Sequence, residues 1–507
     1  KVFSDCTYEG DLMAKAGVSY IIGREDNKQY GETYNGVQLM KGHQFPDGVD
    51  PYKIKGDSTS GLLWGISPAA LSSDGTGDKL VQAYNYRICL TDNPANKIEI
   101  TRPENYDSTK YELLLRLFDA QPNKRKLNHY FIWSRMPNNK TDINNRGGFS
   151  TDMIGMNHNY PEASYEERAE IIKAHKDYTQ GLLYFYKTDP RVPQELRDEI
   201  QAWGYPKDEY TEDNHWSPQL YIRESRRMTG DYVMTQAHCE GRETVTDGIG
   251  MAAYTMDSHN CQRLLVKKDG KYIVKNEGNV EIGGGLPYPI SYRSIIPKEE
   301  ECKNLLVPVC LSASHIAYGS IRMEPVFMVL AQSAAIAAAE AINTGSVQTV
   351  DIKKVQALLH ENPLLDDSFS EILIDDSELD LSINNDWEVI KKQGGYGPTF
   401  LKSKVRNGSP VRFSPHMEHE GKYKVYTYYH MRKDISPAIT YSISNGIDSW
   451  TRVIHKDSVR IEGQTTGEWI ELGTYNFQKS SMPYIEISTG DTSGAVIADA
   501  VLFIPVK

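Results

Sequence analysis

The chain has 507 residues, of which 39% are hydrophobic and 24% are charged, and its formal net charge is -12 at pH 7. This composition is typical of a globular protein with several domains. Because no basic stripe is available to neutralise phosphates, we expect no nucleic-acid partner. No apolar run reaches the roughly 20 residues that span a bilayer, so no membrane span is predicted. The six cysteines contain no C-x-x-C pair and no H-E-x-x-H motif occurs, so no metal site is predicted.

Short elements follow one another in the first part of the chain. The segment KVFSDCTYEGDLMAKAG predicts a buried strand, a turn and a short helix that ends at Gly17. In SYEERAEIIKAHKDYTQGLLYFYKTD the apolar residues recur at helical spacing, and Ser164 and Glu167 form a capping-box pattern. VPQELRDEIQAWG predicts a second helix, and Asp269-Gly270 predicts a hairpin turn.

The stretch SASHIAYGSIRMEPVFMVLAQSAAIAAAEAI, residues 312–342, follows the apolar run NLLVPVCLSA. This order predicts a buried strand, a polar turn and one long Ala-rich helix that begins around Gly319 and Arg322. Helix N-termini favour electron-rich ligand atoms because their N–H groups are free. The pattern therefore predicts a ligand site at the start of this helix. A core helix whose polar start faces solvent is the alternative.

Residues 385–507 differ in character from the rest of the chain. Alternating aromatic and β-branched runs such as KYKVYTYYHM and AITYSISN are separated by Gly, Asn and Asp turns. This pattern predicts an antiparallel β-sandwich. The preceding segments, TVDIKKVQALLHENPLL and LIDDSELDLSINND, predict a helix and an acidic linker.

Several segments resemble a bacterial family of FAD-dependent oxidoreductases whose members are often labelled xanthan lyases. The resemblance covers roughly residues 1–345 and is carried, in this order, by KVFSDCTYEGDLMAKAGVSYIIGRE, RESRRMTGDYVMT, GIGMAAYTMDSHN, PYPISYRSIIP and NLLVPVCLSASHIAYGSIRMEPVFMVLAQSAA. The tail segments GEWIELGTYNF and GAVIADAVLFIPV resemble the carbohydrate-binding-like β-sandwich of golvesin and xanthan lyases. In that tail, Trp450, Tyr428 and Tyr429 are candidates to stack on sugar rings, or are core residues.

The resemblance implies an α/β fold with a partial, Rossmann-like FAD-binding domain and an α+β substrate domain, followed by an all-β sandwich. The expected organisation is an FAD-binding domain in residues 1–60 and 276–350, a substrate domain in 61–275, a helix and linker in 351–384, and the β-sandwich in 385–507. Family members carry a G-x-G-x-x-G turn that this sequence lacks, because SDGTGD and IGGGLP neither follow a buried strand nor open a helix. We therefore expect that an upstream family segment is absent and that tight FAD binding depends on it.

The resemblance also implies a cofactor site in two parts. The strand, turn and helix of residues 312–342 are expected to close over the pyrimidine end of the flavin, with His315 on the turn. The turn after the N-terminal strand is expected to touch the cofactor as well. The implied cofactor-binding residues are Thr7, Glu9, Asp11, Gly319, Ser320, Ile321 and Arg322. For Glu9 and Asp11 the alternative is that they are first-turn acids on a helix dipole.

The segment YTMDSHNCQ contains Asp257 and His259, whose side chains share one face of a strand. A histidine with a carboxylate neighbour can act as the general base for a hydroxyl proton during hydride transfer. His259, Asp257 and His315 are therefore the catalytic candidates. For both histidines, a hydrogen-bonded structural role is the alternative.

Two polar segments predict substrate contacts. NNKTDINNRGGFSTDMIG predicts a loop in which Lys140, Asn144 and Asn145 can hydrogen-bond sugar hydroxyls, although such residues also build ordinary turns. In RESRRMTGDY, Arg223 and the arginines at i+3 and i+4 can share a helical face. They would hold an acidic sugar or pair with neighbouring acids.

Together these features predict an FAD-dependent oxidoreductase that oxidises a saccharide or a related hydroxyl compound by hydride transfer to flavin. The alternatives are a non-catalytic carbohydrate-binding protein, as a truncated flavoprotein remnant, and a polysaccharide lyase. The association with polysaccharide utilisation predicts an extracytoplasmic location, periplasmic or secreted. The substrate, the electron acceptor and the oligomeric state stay open.

Overall fold

A computed structural model of the chain describes residues 1–284, 287–361, 368–379, 385–391, 395–397, 399–461, 467–479, 481–490 and 493–506. The chain divides into two compact units, Lys1–Leu358 and Leu359–Lys507. The first unit has mixed α/β content and the second is rich in β-strands.

The first unit contains helices of very different lengths. They are α1 (Asp11–Lys15), α2 (Asn27–Tyr30), α3 (Glu112–Ala120), α4 (Tyr165–Thr188), α5 (Gln194–Gln201), α6 (Gln236–Cys239), α7 (His315–Ile321), α8 (Glu324–Thr344) and α9 (Ile352–Glu361), the last of which runs past the boundary between the units. Its strands are short. They are β1 (Phe3–Ser4), β2 (Tyr20–Ile21), β3 (Tyr52–Ile54), β4 (Asp57–Leu62), β5 (Lys97–Ile98), β6 (Phe131–Met136), β7 (Lys140–Asn145), β8 (Tyr205–Pro206), β9 (Arg227–Met228), β10 (Gly248–Ala252), β11 (Met256–Ser258), β12 (Gln262–Lys268), β13 (Lys271–Glu277), β14 (Val280–Ile282), β15 (Tyr288–Ser291) and β16 (Leu305–Leu306).

Most strands of the first unit pair in antiparallel two-stranded ladders. The exception among these strands is β1, which runs parallel to β16 and places Phe3 opposite Leu305. This pair joins segments about 300 residues apart in the chain, a separation that only tertiary structure can bridge. The apolar run NLLVPVCLSA is predicted as one strand, but only Leu305–Leu306 of this run forms a strand.

The Ala-rich stretch forms two helices, so the prediction of one long helix beginning near Gly319 is wrong. α7 ends at Ile321, Arg322 is its C-cap, and α8 begins at Glu324. Pro325 explains the break, because proline lacks the N–H that would continue the helix but fits the first turn of a new one. α8 is the one helix of the described residues that is long and apolar enough to cross a membrane, a test that buried core helices also pass.

Several local predictions are confirmed. α4 begins after Ser164, whose hydroxyl accepts from the N–H of Glu167 at 3.2 Å while the Glu167 carboxylate accepts from the N–H of Ser164 at 2.8 Å. The hairpin of β12 and β13 turns at Asp269 and Gly270, which have positive φ values of 49° and 77°. These features depend on neighbours in sequence, which is why a local pattern predicts them.

The second unit consists of strands that pair mainly in antiparallel ladders. They are β17 (Ile372–Asp375), β18 (Trp387–Lys391), β19 (Thr399–Ser403), β20 (Val411–Phe413), β21 (Gly421–His430), β22 (Ala438–Ser444), β23 (Ser449–His455), β24 (Gly467–Phe477), β25 (Tyr484–Ser488), β26 (Ile497–Ala498) and β27 (Ala500–Pro505). Two four-stranded sheets have the orders β17-β27-β21-β24 and β20-β25-β22-β23, and a three-stranded sheet has the order β18-β19-β26.

The acidic segment LIDDSELDLSINND lies inside the second unit and is not only a linker, as the sequence predicted. Its first three residues belong to β17, which pairs with β27 near the other end of the unit. Residues 380–384 of the segment lie outside the described residues. The pairing with β27 joins residues that are distant in the chain. The acidic composition of the segment does not indicate a strand, which is why the sequence predicts a linker here.

We predict that Ser164→Ala destabilises the first unit by about 1 kcal/mol, because the first turn of α4 loses a side-chain acceptor. Chemical denaturation of the full chain, followed by circular dichroism, measures the change. Ser164→Asp should retain the stability, since aspartate also caps helices. An alanine variant as stable as the parent would contradict the prediction.

Candidate functional site

A buried ion network lies against α7 and consists of Glu25, Glu224, Arg227 and His315. The guanidinium of Arg227 is fully buried and donates to Glu25 Oε1 at 2.6 Å and to Glu224 Oε1 at 2.7 Å. His315 Nδ1 lies 2.8 Å from Glu224 Oε2. Although burial opposes ionisation, His315 and Arg227 lower the pKa of Glu224 to about 2. The carboxylates are therefore charged, and the cation between them compensates that charge.

The N-terminus of α7 is satisfied by the protein's own carboxylates. The backbone N–H of His315 donates to Glu25 Oε2 at 2.9 Å. Ser314, the N-cap, donates its hydroxyl to Glu32 Oε1 at 2.6 Å. Negative groups are stabilised at this end of a helix by its dipole. The ligand that the sequence predicted at a helix start is thus replaced here by Glu25 and Glu32.

His315 has no free ring nitrogen for a substrate. Its Nδ1 faces Glu224, and its Nε2 lies 3.0 Å from the hydroxyl of Ser258. The residue is 1% exposed. This geometry favours the structural alternative for His315 over the general-base role.

His259 lies in a different environment, with a side chain that is 13% exposed. Its Nδ1 is 2.6 Å from Asp152 Oδ2, whereas its Nε2 is 3.8 Å from Asp257 Oδ2. Asp152 is fully buried and lies 3.0 Å from the guanidinium of Arg223. The close carboxylate partner of His259 is therefore Asp152, and the predicted partner, Asp257, is the more distant one.

The electrostatics of His259 suit a base. Burial and the nearby Arg223 lower the pKa of His259, although Asp152 opposes them. The imidazole is therefore neutral near pH 7. Because the Asp152 carboxylate accepts a hydrogen bond from Nδ1–H, the lone pair lies on Nε2.

The C-terminal end of α7 holds Asp257 in place. Arg322 donates to Asp257 Oδ2 at 2.9 Å and to the Asp257 carbonyl at 3.2 Å. Gly319 allows this approach, because a Cβ at that position would lie 2.7 Å from the Asp257 carbonyl oxygen. α7 therefore contacts β11 backbone to backbone, and β11 leads directly into His259.

Two arginines beside this histidine have unsatisfied donors. Arg223 and Arg322 are 2% and 4% exposed, and the Nε atom of each is buried without an acceptor among the described residues. Buried orphan donors are rare in native proteins and suit an oxygen or nitrogen acceptor of a bound group. These two nitrogens mark a candidate ligand position near His259.

The other residues predicted beside the flavin on α7 are occupied within the protein. Gly319, Ser320 and Ile321 are buried in the last turn of the helix. The hydroxyl of Ser320 donates to the Tyr254 carbonyl at 2.6 Å and accepts from the Tyr288 hydroxyl at 2.7 Å. Of the residues predicted on this helix, Arg322 is the one with an orphan donor.

The predicted residues of the N-terminal turn have protein partners as well. Thr7 donates to Asp5 Oδ1 at 2.7 Å, and Glu9 accepts from the Tyr160 hydroxyl at 3.0 Å. Asp11 begins α1 and pairs with Arg168 at 2.7 Å and with Arg226 at 2.8 Å. Hydrogen bonds from these arginines lower the pKa of Asp11 to about 2. Asp11 therefore matches the alternative of a first-turn acid, whereas Glu9 precedes the N-cap Gly10 and lies outside the helix.

The segment predicted as a substrate loop contains strand β7, so the loop prediction is wrong for residues 140–145. Asn144 accepts from Asn85 Nδ2 at 2.8 Å, and Asn145 Oδ1 accepts from the backbone N–H of Asp152 at 3.2 Å. Lys140 lies at the other end of the strand and is ion-paired with Asp208 and Glu209.

Arg223 and the two arginines after it are not helical, contrary to the predicted spacing. Only the last two residues of Arg223–Met228 belong to a regular element, strand β9. Arg226 pairs with Asp11, and Arg227 belongs to the buried ion network. Arg223 is the one of the three beside His259, through Asp152.

Asp152 and Glu224 are the residues that sequence reasoning missed. Asp152 lies in the segment that the sequence predicts as a substrate loop, and Glu224 directly follows Arg223. Their partners in the site, His259 and His315, follow them by about a hundred residues, at separations of 107 and 91. A single sequence carries no signal for such pairs.

The family model of the FAD dependent oxidoreductases matches residues 1–359, and that of the Golvesin C-terminal domain matches residues 372–505. No protein with a curated description matches the chain.

Three solved structures are each similar to this chain over 27% of its length. A xanthan lyase of Paenibacillus is 22% identical, covers 27% of this chain and 13% of its own, and gives a TM-score of 0.24. A GH26-CBM35 β-(1,4)-mannanase of Podospora anserina is 11% identical over 27% of this chain and 28% of its own, with a TM-score of 0.21. The CBM22-1 xylan-binding domain of Paenibacillus barcinonensis Xyn10C is 12% identical over 27% and 87%, with a TM-score of 0.17. The chain thus spans well under a third of the first two enzymes.

We predict that Gly319→Ala destabilises the first unit by about 1–3 kcal/mol, because the added methyl group meets the backbone of Asp257. Helix propensity alone would give the opposite sign, since alanine is favoured over glycine by about 1 kcal/mol inside a helix. Denaturant unfolding of the two proteins decides between them. A variant more stable than the parent would contradict the close contact between α7 and β11.

Proposed function

Because the chain belongs to the FAD dependent oxidoreductase family through residues 1–359, we propose that it oxidises a hydroxyl-bearing carbon of a saccharide with FAD as cofactor. The observation that carries this proposal is the pair of His259 and Asp152, with the Nε2 lone pair of His259 free and the pKa of its ring lowered. A neutral, partly exposed base beside orphan arginine donors suits the removal of a hydroxyl proton.

The residues present fit the reactive end of this cofactor. The buried Nε donors of Arg223 and Arg322 have no acceptor within the described part of the chain, and a flavin ring offers oxygen and nitrogen acceptors. When bound, FAD supplies a hydride acceptor. For the pyrophosphate, the sequence has no G-x-G-x-x-G turn. We therefore assign to this chain only the ring end of a Rossmann-like cofactor site.

In the proposed reaction, His259 accepts the proton of the substrate hydroxyl at Nε2. Asp152 holds Nδ1–H, keeps the ring in this tautomer and stabilises the imidazolium that forms. Arg223 holds Asp152 in turn at 3.0 Å. Asp257, held by Arg322, lies 3.8 Å from Nε2 and adds negative charge beside the developing cation.

For the second unit we propose a carbohydrate-binding β-sandwich, as its membership of the Golvesin C-terminal domain family supports. Tyr429, predicted as a sugar platform, is 1% exposed and lies in the core. Trp450 packs partly buried against that core. Tyr428 forms edge contacts with Tyr396 and Trp469, and Tyr396 is 46% exposed. This aromatic group is the better candidate surface for a sugar ring.

We also propose an extracytoplasmic location, because a saccharide substrate and a role in polysaccharide utilisation would favour it. A proteinase-accessibility assay on intact cells tests it. Complete protection of the chain in cells, with cleavage after lysis, would contradict an exposed location and leave the periplasm to be tested by fractionation.

We predict that His259→Gln lowers the rate of substrate-dependent flavin reduction by about 100-fold or more, because the general base is lost. Each protein is first shown by its visible spectrum to hold flavin in the presence of excess FAD. The bleaching of the flavin band is then followed anaerobically with a panel of mono- and oligosaccharides. His455→Gln, at an exposed histidine of the second unit, is the control and should retain the parent rate. Equal rates in the two variants would remove His259 from the mechanism.

The pH dependence of flavin reduction should follow the pKa of His259. The base is active when neutral, so the rate falls as the pH drops through that pKa, which burial and Arg223 hold below its ordinary value of 6.5. Asp152→Asn removes the carboxylate that favours the imidazolium, so the acid limb should move to lower pH. A limb that moves to higher pH, or not at all, would contradict the pairing of Asp152 with His259.

A further inference from the structure

Tyr221 lies beside the His259 site and is not among the residues that the sequence predicts for it. Its backbone N–H donates to the Asn85 carbonyl at 2.8 Å, which places it next to the segment that contains Arg87. The Tyr221 ring contacts two guanidiniums, with Cζ of Arg87 5.6 Å and Cζ of Arg223 5.2 Å from the ring centroid. Both contacts hold the ring in place, which also fixes the position of its hydroxyl.

The hydroxyl of Tyr221 is available to a ligand. The side chain is half-buried, and its hydroxyl forms no hydrogen bond within the described part of the chain. Tyr254 interacts electrostatically with Tyr221 and is 49% exposed. Both phenol groups also interact with Arg322, which has a buried Nε donor without an acceptor, as Arg223 does. The two tyrosines thus border the candidate ligand position near His259.

A polar pair adjoins Tyr221. Arg87 Nε donates to Oδ1 of Asp142, in β7, at 2.9 Å, and both side chains are partly exposed. Nη1 of Arg87 has no acceptor among the described residues, and a carboxylate has lone pairs beyond those that one arginine uses. The pair therefore offers a donor and an acceptor side by side, as neighbouring sugar hydroxyls require. We call these four side chains the Tyr221 face: Tyr221, Tyr254, Arg87 and Asp142.

The charges around the Tyr221 face do not favour an anion. Each arginine already has an aspartate partner, and the pairs are Arg87–Asp142, Arg223–Asp152 and Arg322–Asp257. Glu324, in the first turn of α8, is exposed and forms no ion pair with the described residues. Burial raises the pKa of Tyr8 and Glu324 raises it further, and Glu324 also acts on Arg87. A carboxylate ligand would therefore meet three compensated arginines and one acid that repels it.

We propose that the Tyr221 face binds the substrate of the His259 site, and that this substrate is a neutral saccharide rather than an acidic one. The inference rests on the oxidation proposed above and names its substrate class. A sugar hydroxyl both donates and accepts, and the Tyr221 hydroxyl can meet it in either role. The exposed Tyr254 ring can pack on the apolar face of a sugar.

The first test measures sugar binding to the full chain by calorimetry, without turnover. The neutral probes are cellotetraose, xylotetraose and mannotetraose, and the acidic probe is tetragalacturonate. Tyr221→Phe keeps the ring and removes the hydroxyl, so it should weaken the binding of a neutral probe about fivefold or more. Tyr272→Phe, at a tyrosine of β13 that is 50% exposed, is the matched control and should bind as the parent does. The second unit is identical in both variants, so a loss in Tyr221→Phe alone belongs to the first unit.

The second test measures the discrimination against acidic sugars. Glu324→Gln removes the repelling charge, so at low ionic strength the affinity for tetragalacturonate relative to the neutral probe should rise about threefold. Glu166→Gln, at an exposed acid in the first turn of α4, is the matched control and should leave this ratio unchanged.

Circular dichroism shows whether each variant is folded, and Tyr254→Ala, at the more exposed tyrosine, replaces Tyr221→Phe if the latter does not fold. The inference is overturned if no neutral probe binds the parent at up to about 10 mM. It is also overturned if tetragalacturonate binds more tightly than every neutral probe, or if Tyr221→Phe binds like Tyr272→Phe.

Flavin reduction separates this inference from the proposed oxidation. A neutral sugar that binds through Tyr221 but never reduces the flavin removes the oxidation and leaves the binding face. Flavin reduction by a sugar, at the same rate and the same KM in Tyr221→Phe as in the parent, removes the binding face and leaves the oxidation.

Discussion

The buried guanidinium of Arg227 is the interaction on which the first unit depends most. It donates to Glu25 and Glu224, to the Ala313 carbonyl before α7, and to the Gly23 carbonyl. A single side chain therefore joins three segments that are about 90 to 290 residues apart in the sequence. Removing one partner of such a buried pair costs about 3–5 kcal/mol, because an uncompensated charge stays behind. The arrangement leaves little freedom for the elements it joins.

The position of α7 follows from this network, and the site near His259 follows from α7. Glu25 and Glu32 satisfy the helix N-terminus, so the ends of α7 have different roles. The first turn is fixed by carboxylates, whereas the last turn carries Arg322 to the strand that precedes His259. The dipole at the N-terminus of α7 thus stabilises the protein's own carboxylates, and the C-terminal end of the helix carries Arg322 to Asp257.

The two candidate histidines differ in what surrounds their side chains. His315 and His259 each have a carboxylate on Nδ1, Glu224 and Asp152 respectively. The hydroxyl of Ser258 also occupies Nε2 of His315, whereas Nε2 of His259 has no closer acidic group than 3.8 Å. The two histidines therefore differ in their second ring nitrogen: Nε2 of His315 has a hydrogen-bond partner, and Nε2 of His259 does not have one among the described residues. That distinction depends on the packing of β11 against α7, which no motif in the sequence encodes.

The sequence by itself determined the family and those local elements that depend on capping and turn residues. The capping box at Ser164, the turn at Asp269 and the family-like segments all depend on residues that are close in the chain. The sequence also named His259, although with Asp257 as its partner. The break at Pro325 in the Ala-rich stretch is a local signal that the sequence carries as well. Tertiary structure alone decided that Asp152 holds that histidine and that Asp499 meets Asp375 and Asp376. The physical reason is that buried charge must find its partner in space, and the distance in sequence between such partners is set by the fold rather than by any local spacing.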